Sequence, residues 1–174
     1  IDEVIDYYLE RIKKFNHSLN AIVSLRDEEE IREEAKNNKL NKIKEGKEML
    51  LLGLPLAVKD LTDVEGLPTS YGLPELKNNI ANQNSIIVDR LINHGAIIIG
   101  KTNIPELAVG CHTTNKIFGC TSNVYDNSKS AGGSSGGLAL ALRHSCREED
   151  ARAHISQGCS TSVRMWFTIS PREW

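Results

Sequence analysis

Ser130-Ala131-Gly132-Gly133-Ser134-Ser135-Gly136-Gly137-Leu138-Ala139-Leu140-Ala141-Leu142 is the stretch whose reading decides the fold. Two serines lie between two glycine pairs, and the run then turns abruptly apolar. Glycine admits backbone angles that other residues resist and lets another group approach the chain closely. Serines held there can present hydroxyls to a site, and Leu138 to Leu142 can open a buried helix. A flexible Gly/Ser linker does not usually feed straight into a buried segment. A phosphate loop of the Walker type needs Lys and Ser or Thr after its glycines, whereas Leu138 and Ala139 stand there. What remains is a structured loop with active hydroxyls, which needs a base.

Composition bounds the search. The chain has 174 residues, 40% of them apolar, enough for a real core in one domain or a piece of one. A net charge of -2 gives no sign of nucleic-acid binding. No apolar run approaches the roughly 20 residues that span a bilayer, so no membrane partner is expected. Cys111, Cys120, Cys146 and Cys159 form no C-x-x-C pair. Zinc is therefore unsupported, and a cytoplasmic protein with free thiols is the default. The opening Ile1-Asp2-Glu3 lacks the pattern of a signal peptide. Ile1 is not a natural translation start, so the sequence is expected to begin inside a longer protein.

Ile1, Val4, Ile5, Tyr8, Ile12 and Phe15 form one apolar stripe, which predicts a helix over 2–15 and a turn over 16–20. Ala21-Ile22-Val23 reads as a short strand. Asp27 with Glu30 fits a capping box for a charged outer helix from 28 to about 45, with Ile31, Ala35 and Ile43 inward. Ser85 is placed to cap a third helix, with Ile86, Ile87, Leu91 and Ile92 inward and Gly95 at its end. Ala96-Ile97-Ile98-Ile99 then reads as a buried strand. Helix, glycine and such a strand predict α/β packing with a parallel sheet. Asn103 with Glu106 is expected to cap another short helix, and 110–129 reads as a long ordered loop lining a pocket. His112 is expected to have a loop or surface role.

The candidate base lies upstream. Gly53-Leu54-Pro55-Leu56-Ala57-Val58-Lys59-Asp60 is an apolar strand that delivers a lysine at its end. Lysine is almost never buried without a partner. One explanation is a salt bridge with Asp60 or another acid. The other is a lysine whose neutral form is favoured by desolvation and which acts as a general base.

Three stretches in one order, Gly53 to Asp60, Gly100-Lys101-Thr102-Asn103-Ile104-Pro105-Glu106 and Ser130 to Gly137, resemble the amidase signature family. Leu9-Glu10-Arg11-Ile12 before Leu19-Asn20-Ala21, and Phe118-Gly119 with Asn123-Val124-Tyr125-Asp126, are similar to it as well, although Val124 stands where the family commonly has proline. The likeness covers residues 1–142, read as the N-terminal portion of an amidase domain, and it implies a partial α/β amidase-signature fold, a mixed, largely parallel sheet flanked by helices. It implies hydrolysis of a carboxylic acid amide through a lysine, a cis-linked serine and a nucleophilic serine. By the same resemblance Lys59 is the lysine and Ser134 the cis-linked serine, with Gly132, Gly133 and Ser135 beside the substrate. Lys101 does not match the family's base. No cofactor or metal is implied. A small-molecule amide is the implied substrate, and a homodimer or amidotransferase subunits are the implied partners. A free-standing amidase and the amidase subunit of a tRNA-dependent amidotransferase both fit. Gly110-Cys111-His112-Thr113-Thr114-Asn115 leans towards the former. An inactive fragment with an interaction role is the remaining alternative.

The third serine is less legible. Gly158 stands where the family places its nucleophile, and the nearest look-alike is Ser162-Val163-Arg164. Ser162 is therefore the candidate nucleophile. Residues 143–174 read as a divergent or frame-shifted tail. They hold no lysine, five arginines and both tryptophans, and they lack a glycine-rich turn around Ser162.

Overall fold

All six residues of the strand Ile97–Thr102 are buried, which places it in the middle of a sheet. The computed structural model describes residues 1–45 and 49–137, and the side chains of all of these except 39–45. In chain order the main elements are α1 (Asp2–Leu19), β1 (Ile22–Leu25), α2 (Glu28–Glu45), β2 (Pro55–Lys59), α3 (Ile86–Asn93) and β3 (Ile97–Thr102). The sheet order is β1-β3-β2. β2 runs parallel to β3 and β1 antiparallel to it, so the described sheet is mixed. Short strands β4 (Thr114–Asn115) and β5 (Gly119–Cys120) form a separate antiparallel hairpin.

Two helices cover one face of the sheet. Ile5 and Leu9 of α1 and Ile31 and Ala35 of α2 pack on Ile22, Ala57, Ile97 and Ile99. On the other face Val88 of α3 packs with Val58, Val64 and Ile98. β3 changes its alternation between these faces. Leu56 pairs with Ile98 but Ala57 with Gly100, leaving Ile99 as an extra residue. Side chains alternate along a strand, and a bulge residue re-aims those that follow. Beyond it Lys101 is opposite Val58, on the α3 face, and Thr102 is opposite Lys59, on the α1–α2 face.

Four local expectations need correction. Helix α1 does not stop at residue 15, and 16–20 is no turn: the helix continues to Leu19, which is buried. It ends at Asn20, whose φ of 53° and ψ of 45° form a left-handed cap. Asparagine tolerates this conformation better than most residues. The Asn16 side chain ties that end to β1, its Oδ1 accepting from the backbone of Ala21 at 2.9 Å and Ile22 at 2.8 Å.

The inward face of α3 is also displaced. Ile86 is 74% and Ile87 57% exposed, whereas Val88 is fully buried and Leu91 and Ile92 are partly buried. Ile86 is the first residue of the helix, so the buried stripe is Val88-Leu91-Ile92, leading to Gly95. Ser85 holds the N-cap position, but its hydroxyl makes no cap bond. By contrast, Asp27 Oδ1 accepts from the N–H groups of Glu29 and Glu30 and caps α2. Of the residues expected inward on that helix, Ile43 lies outside the described side chains.

The third correction concerns Asn103. No α-helix follows it, only a single tight turn over Glu106–Ala108. Its side chain is drawn inward instead, as described below. The segment from 110 to 129, read as a loop throughout, contains the β4–β5 hairpin.

Candidate active site

The carboxyl ends of β2 and β3 and the glycine-serine loop meet at one place. Lys59 is the last residue of β2 and is half-buried. Its Nζ donates to Ser134 Oγ at 3.2 Å. Burial holds the Lys59 ammonium below the ordinary lysine range, because an unpaired charge is costly away from water. Among the described residues no carboxylate forms an ion pair with Lys59, so the alternative of a salt bridge to Asp60 does not hold. Asp60 turns to the other face, where it faces Lys101.

The loop that carries Ser134 is built from close backbone contacts. The Gly133–Ser134 peptide is cis, and Gly132 has a φ of +80°. A Cβ at Gly133 would lie 2.9 Å from backbone atoms of His112. At Gly136 it would lie 2.6 Å from Thr113 Oγ1, and at Gly137 2.7 Å from the Ala21 carbonyl oxygen. These glycines let the loop lie directly on the 111–113 segment and on the exit of α1. Hydrogen bonds fix that docking. Thr113 N–H donates to Gly132 O at 2.9 Å, and Gly136 N–H donates to Thr113 Oγ1 at 2.9 Å. Ala131 N–H donates to Thr121 O at 2.9 Å.

Thr113 and Thr121 belong to a buried polar frame centred on Asn103. Asn103 Nδ2 donates to Thr121 Oγ1 at 2.9 Å and to Gly119 O at 3.1 Å. Its Oδ1 accepts from Asn115 Nδ2 at 2.7 Å and from Ile104 N–H at 3.0 Å. Buried amides need partners, and this set satisfies the side chain fully. The frame links the end of β3 to the hairpin under the glycine-serine loop. Asn103, Thr113, Asn115 and Thr121 were not singled out from the sequence as site-forming residues. The signal for Asn103 was a short polar side chain directly after a continuous apolar strand, and Thr113, Asn115 and Thr121 lie in the polar segment further on.

The remaining candidates fall as follows. Ser135 and Gly132 are partly buried beside Ser134. His112 and Cys111 are exposed. Lys101 is fully buried, its Nζ donating to Pro68 O and Thr69 Oγ1, both at 3.1 Å, and lying 3.8 Å from Asp60 Oδ1. Ser162 and the helix expected over Leu138–Leu142 lie outside the described residues. Among the described residues no group of His, Cys, Asp and Glu side chains is arranged to hold a metal ion. The arrangement offers a half-buried amine beside a hydroxyl, which is the equipment for moving a proton.

Comparison with known proteins agrees in extent. The family model described as Amidase matches residues 3–143. An acylamidase from Rhodococcus erythropolis is 40% identical over 143 residues, covering 81% of this chain and 29% of that protein. A glutamyl-tRNA(Gln) amidotransferase subunit from Thermoanaerobacter pseudethanolicus is 36% identical, covering 80% and 28%. Among solved structures, a native peptide amidase from Stenotrophomonas maltophilia is similar with a TM-score of 0.73 and 28% identity, covering 81% of this chain and 30% of that one. The chain thus spans less than a third of the length of these relatives.

Proposed function

The chain belongs to the Amidase family, that of the amidase signature, and from that premise we propose that Lys59 and Ser134 are two members of a proton relay through which the whole protein hydrolyses a carboxylic acid amide. The observation that carries this reading is the 3.2 Å contact between Lys59 Nζ and Ser134 Oγ at the end of a buried strand, with burial favouring the neutral amine. Neutral Lys59 accepts the Ser134 proton while Ser134 takes the proton of a nucleophilic serine. The nucleophile's Oγ bonds to the amide carbon. The relay returns a proton to the departing nitrogen as the C–N bond breaks, releasing ammonia or an amine and leaving an acyl-enzyme. Water then cleaves the ester to the carboxylate. Gly132, Gly133 and Ser135 border the substrate in this scheme. The whole protein is proposed to act in the cytoplasm; among the described residues no helix is long and apolar enough to cross a membrane.

The nucleophile lies beyond residue 137. Ser162 is the candidate within this chain, but the composition of 143–174 and the end of the family match at residue 143 favour reading those residues as a tail that departs from the family. On that reading Ser162 imitates the nucleophile and the 174-residue chain alone is inactive. Sequencing the DNA across codons 138–174 and translating all three frames tests it. A frame with a glycine-rich turn and Ser-x-Arg supports a slip. Clean sequence without one, with covalent serine labelling at Ser162, contradicts it.

A second reading is the amidase subunit of an amidotransferase with partner subunits, favoured by the relative from Thermoanaerobacter. Two assays separate the readings in the whole protein: release of p-nitroaniline from p-nitroacetanilide, and release of ammonia from glutamine with and without partner subunits. Ser134→Ala should lower either activity by about 10²–10⁴-fold, the usual worth of a positioned proton-transfer group. Wild-type turnover by a folded Ser134→Ala variant rejects the relay.

A further inference from the structure

The proton relay leaves one buried ionisable cluster unused. Lys101 and Asp60 are 0% and 1% exposed, and they lie on the α3 face of the sheet, opposite to Lys59. Asp60 is also the residue that follows Lys59. Its backbone N–H donates to Thr102 O at 3.1 Å, and its carbonyl accepts from Tyr71 N–H at 3.1 Å. Its carboxylate accepts from Ser70 twice, from the backbone N–H at 3.2 Å and from the hydroxyl. Lys101 reaches the same loop through Pro68 O and Thr69 Oγ1 and faces Asp60 Oδ1. Ser70 Oγ in turn accepts from Gly72 N–H at 3.1 Å.

We propose that Lys101, Asp60, Thr69 and Ser70 form a positioning unit that clamps the exit of β2 from behind and thereby holds Lys59 Nζ at Ser134 Oγ. The inference rests on the relay reading above. A strand end is free to fray unless its last residues are tied down. Here the residue after Lys59 is held by its backbone and its carboxylate, and the register partner of Val58 supplies the opposing cation. Burying two opposite charges is a weak source of stability, because desolvation offsets their attraction. A fully buried lysine in this position is therefore better explained by what it fixes than by what it adds to stability. Of the described ionisable groups at this exit, Asp60 and Lys101 are on the far face, with Asp63 acting on Lys101, and none of these pairs with Lys59. Burial shifts Lys59 itself towards the neutral form. Loosening the clamp lets its amine reach water and regain its proton more readily.

The test uses the whole protein, p-nitroacetanilide or glutamine as substrate, and the variants Lys59→Ala, Lys101→Met, Thr69→Val and Thr69→Ser, assayed where circular dichroism shows each folded. Lys101→Met and Thr69→Val should lower kcat by roughly 10²-fold, the cost of misplacing a catalytic group by about 1 Å. KM should change little, the rise of activity with pH should move to higher pH, and Thr69→Ser should restore both. A role confined to stability would leave kcat and the pH profile of the folded variants unmoved. If Lys101→Met does not fold, the Thr69 pair decides alone. Folded variants with wild-type kcat and pH profile, beside an inactive Lys59→Ala, overturn the clamp and leave the relay standing. An active Lys59→Ala overturns the relay and the clamp with it.

Discussion

Lys59 and Lys101 leave neighbouring parallel strands one register step apart, yet they meet opposite surroundings. Lys101 is enclosed by acceptors: a carbonyl, a hydroxyl and a carboxylate lie around its amine. Lys59 is half-buried, and among the described residues its amine meets a single serine hydroxyl. Burial depresses both amines. Among the described residues, Lys101 alone of the two has carboxylates, Asp60 and Asp63, that pull back towards the charged form. The difference teaches that a buried lysine does not announce a base. A base needs an amine with a lone pair free to point at a proton, and an amine saturated by acceptors spends its N–H groups on structure.

The comparison is broken most severely by removing each amine in turn. Lys59→Ala in the whole protein should abolish amide turnover, by about 10²–10⁴-fold or more, with little change in urea unfolding. Lys101→Met should lower kcat by the smaller factor of about 10² and should lower stability as well, by about 3–5 kcal/mol if the Asp60 carboxylate is left charged and buried. Urea midpoints and kcat measured on the same preparations separate the two effects.

A smaller effect belongs to the frame under the glycine-serine loop. Asn103→Ala strips Thr121, Gly119 and Asn115 of a partner at once. Leaving a buried polar group unsatisfied costs about 1–3 kcal/mol, and turnover should fall with it because the same frame carries the loop of Ser134. Thermal unfolding and kcat check this. Smaller still is the contrast within α3. Val88→Ala removes two buried methyl groups and should cost roughly 1.5 kcal/mol at about 0.8 kcal/mol each, whereas Ile86→Ala should stay within about 0.5 kcal/mol.

The pH dependence of stability sharpens the same comparison. Lys59 and Lys101 have folded pKa values below their unfolded ones, so the unfolded chain binds more protons between the two. Stability should therefore rise with pH across that interval. Asp60 has a folded pKa raised by burial. Its contribution should fall as pH rises from the ordinary carboxylate value through the raised one. Urea titrations of wild type and Asp60→Asn should differ in that acidic window and converge below it.

Much of this was legible because periodicity reports burial. The run Ala96 to Ile99, flanked by Gly95, gave away the central strand, and Lys59 at the end of β2 gave away the amine. The resemblance supplied Ser134. What the sequence concealed were consequences of side chains crossing between elements. Asn16 and Asn20 read as turn formers, but Asn20 caps a longer helix and Asn16 ties its end to β1. Asn103 followed by Glu106 imitates a helix start, and only the hairpin that packs on it draws its amide inward. Ile86 and Ile87 continue an apolar pattern that the first turn of α3 cannot bury. The face that Lys101 occupies depends on the bulge at Ile99, which no alternation pattern reveals.

The most direct measurement is the titration of Lys59 itself in the whole protein. Its amine can be followed by the pH dependence of competitive acetylation, read by mass spectrometry at the peptide carrying Val58-Lys59-Asp60. A base held neutral by burial at Ser134 should show a midpoint below the ordinary lysine value of about 10.4. Ser134→Ala should leave that midpoint depressed while turnover is lost. A midpoint at or above the ordinary value in the active protein would contradict the assignment of Lys59 as the base.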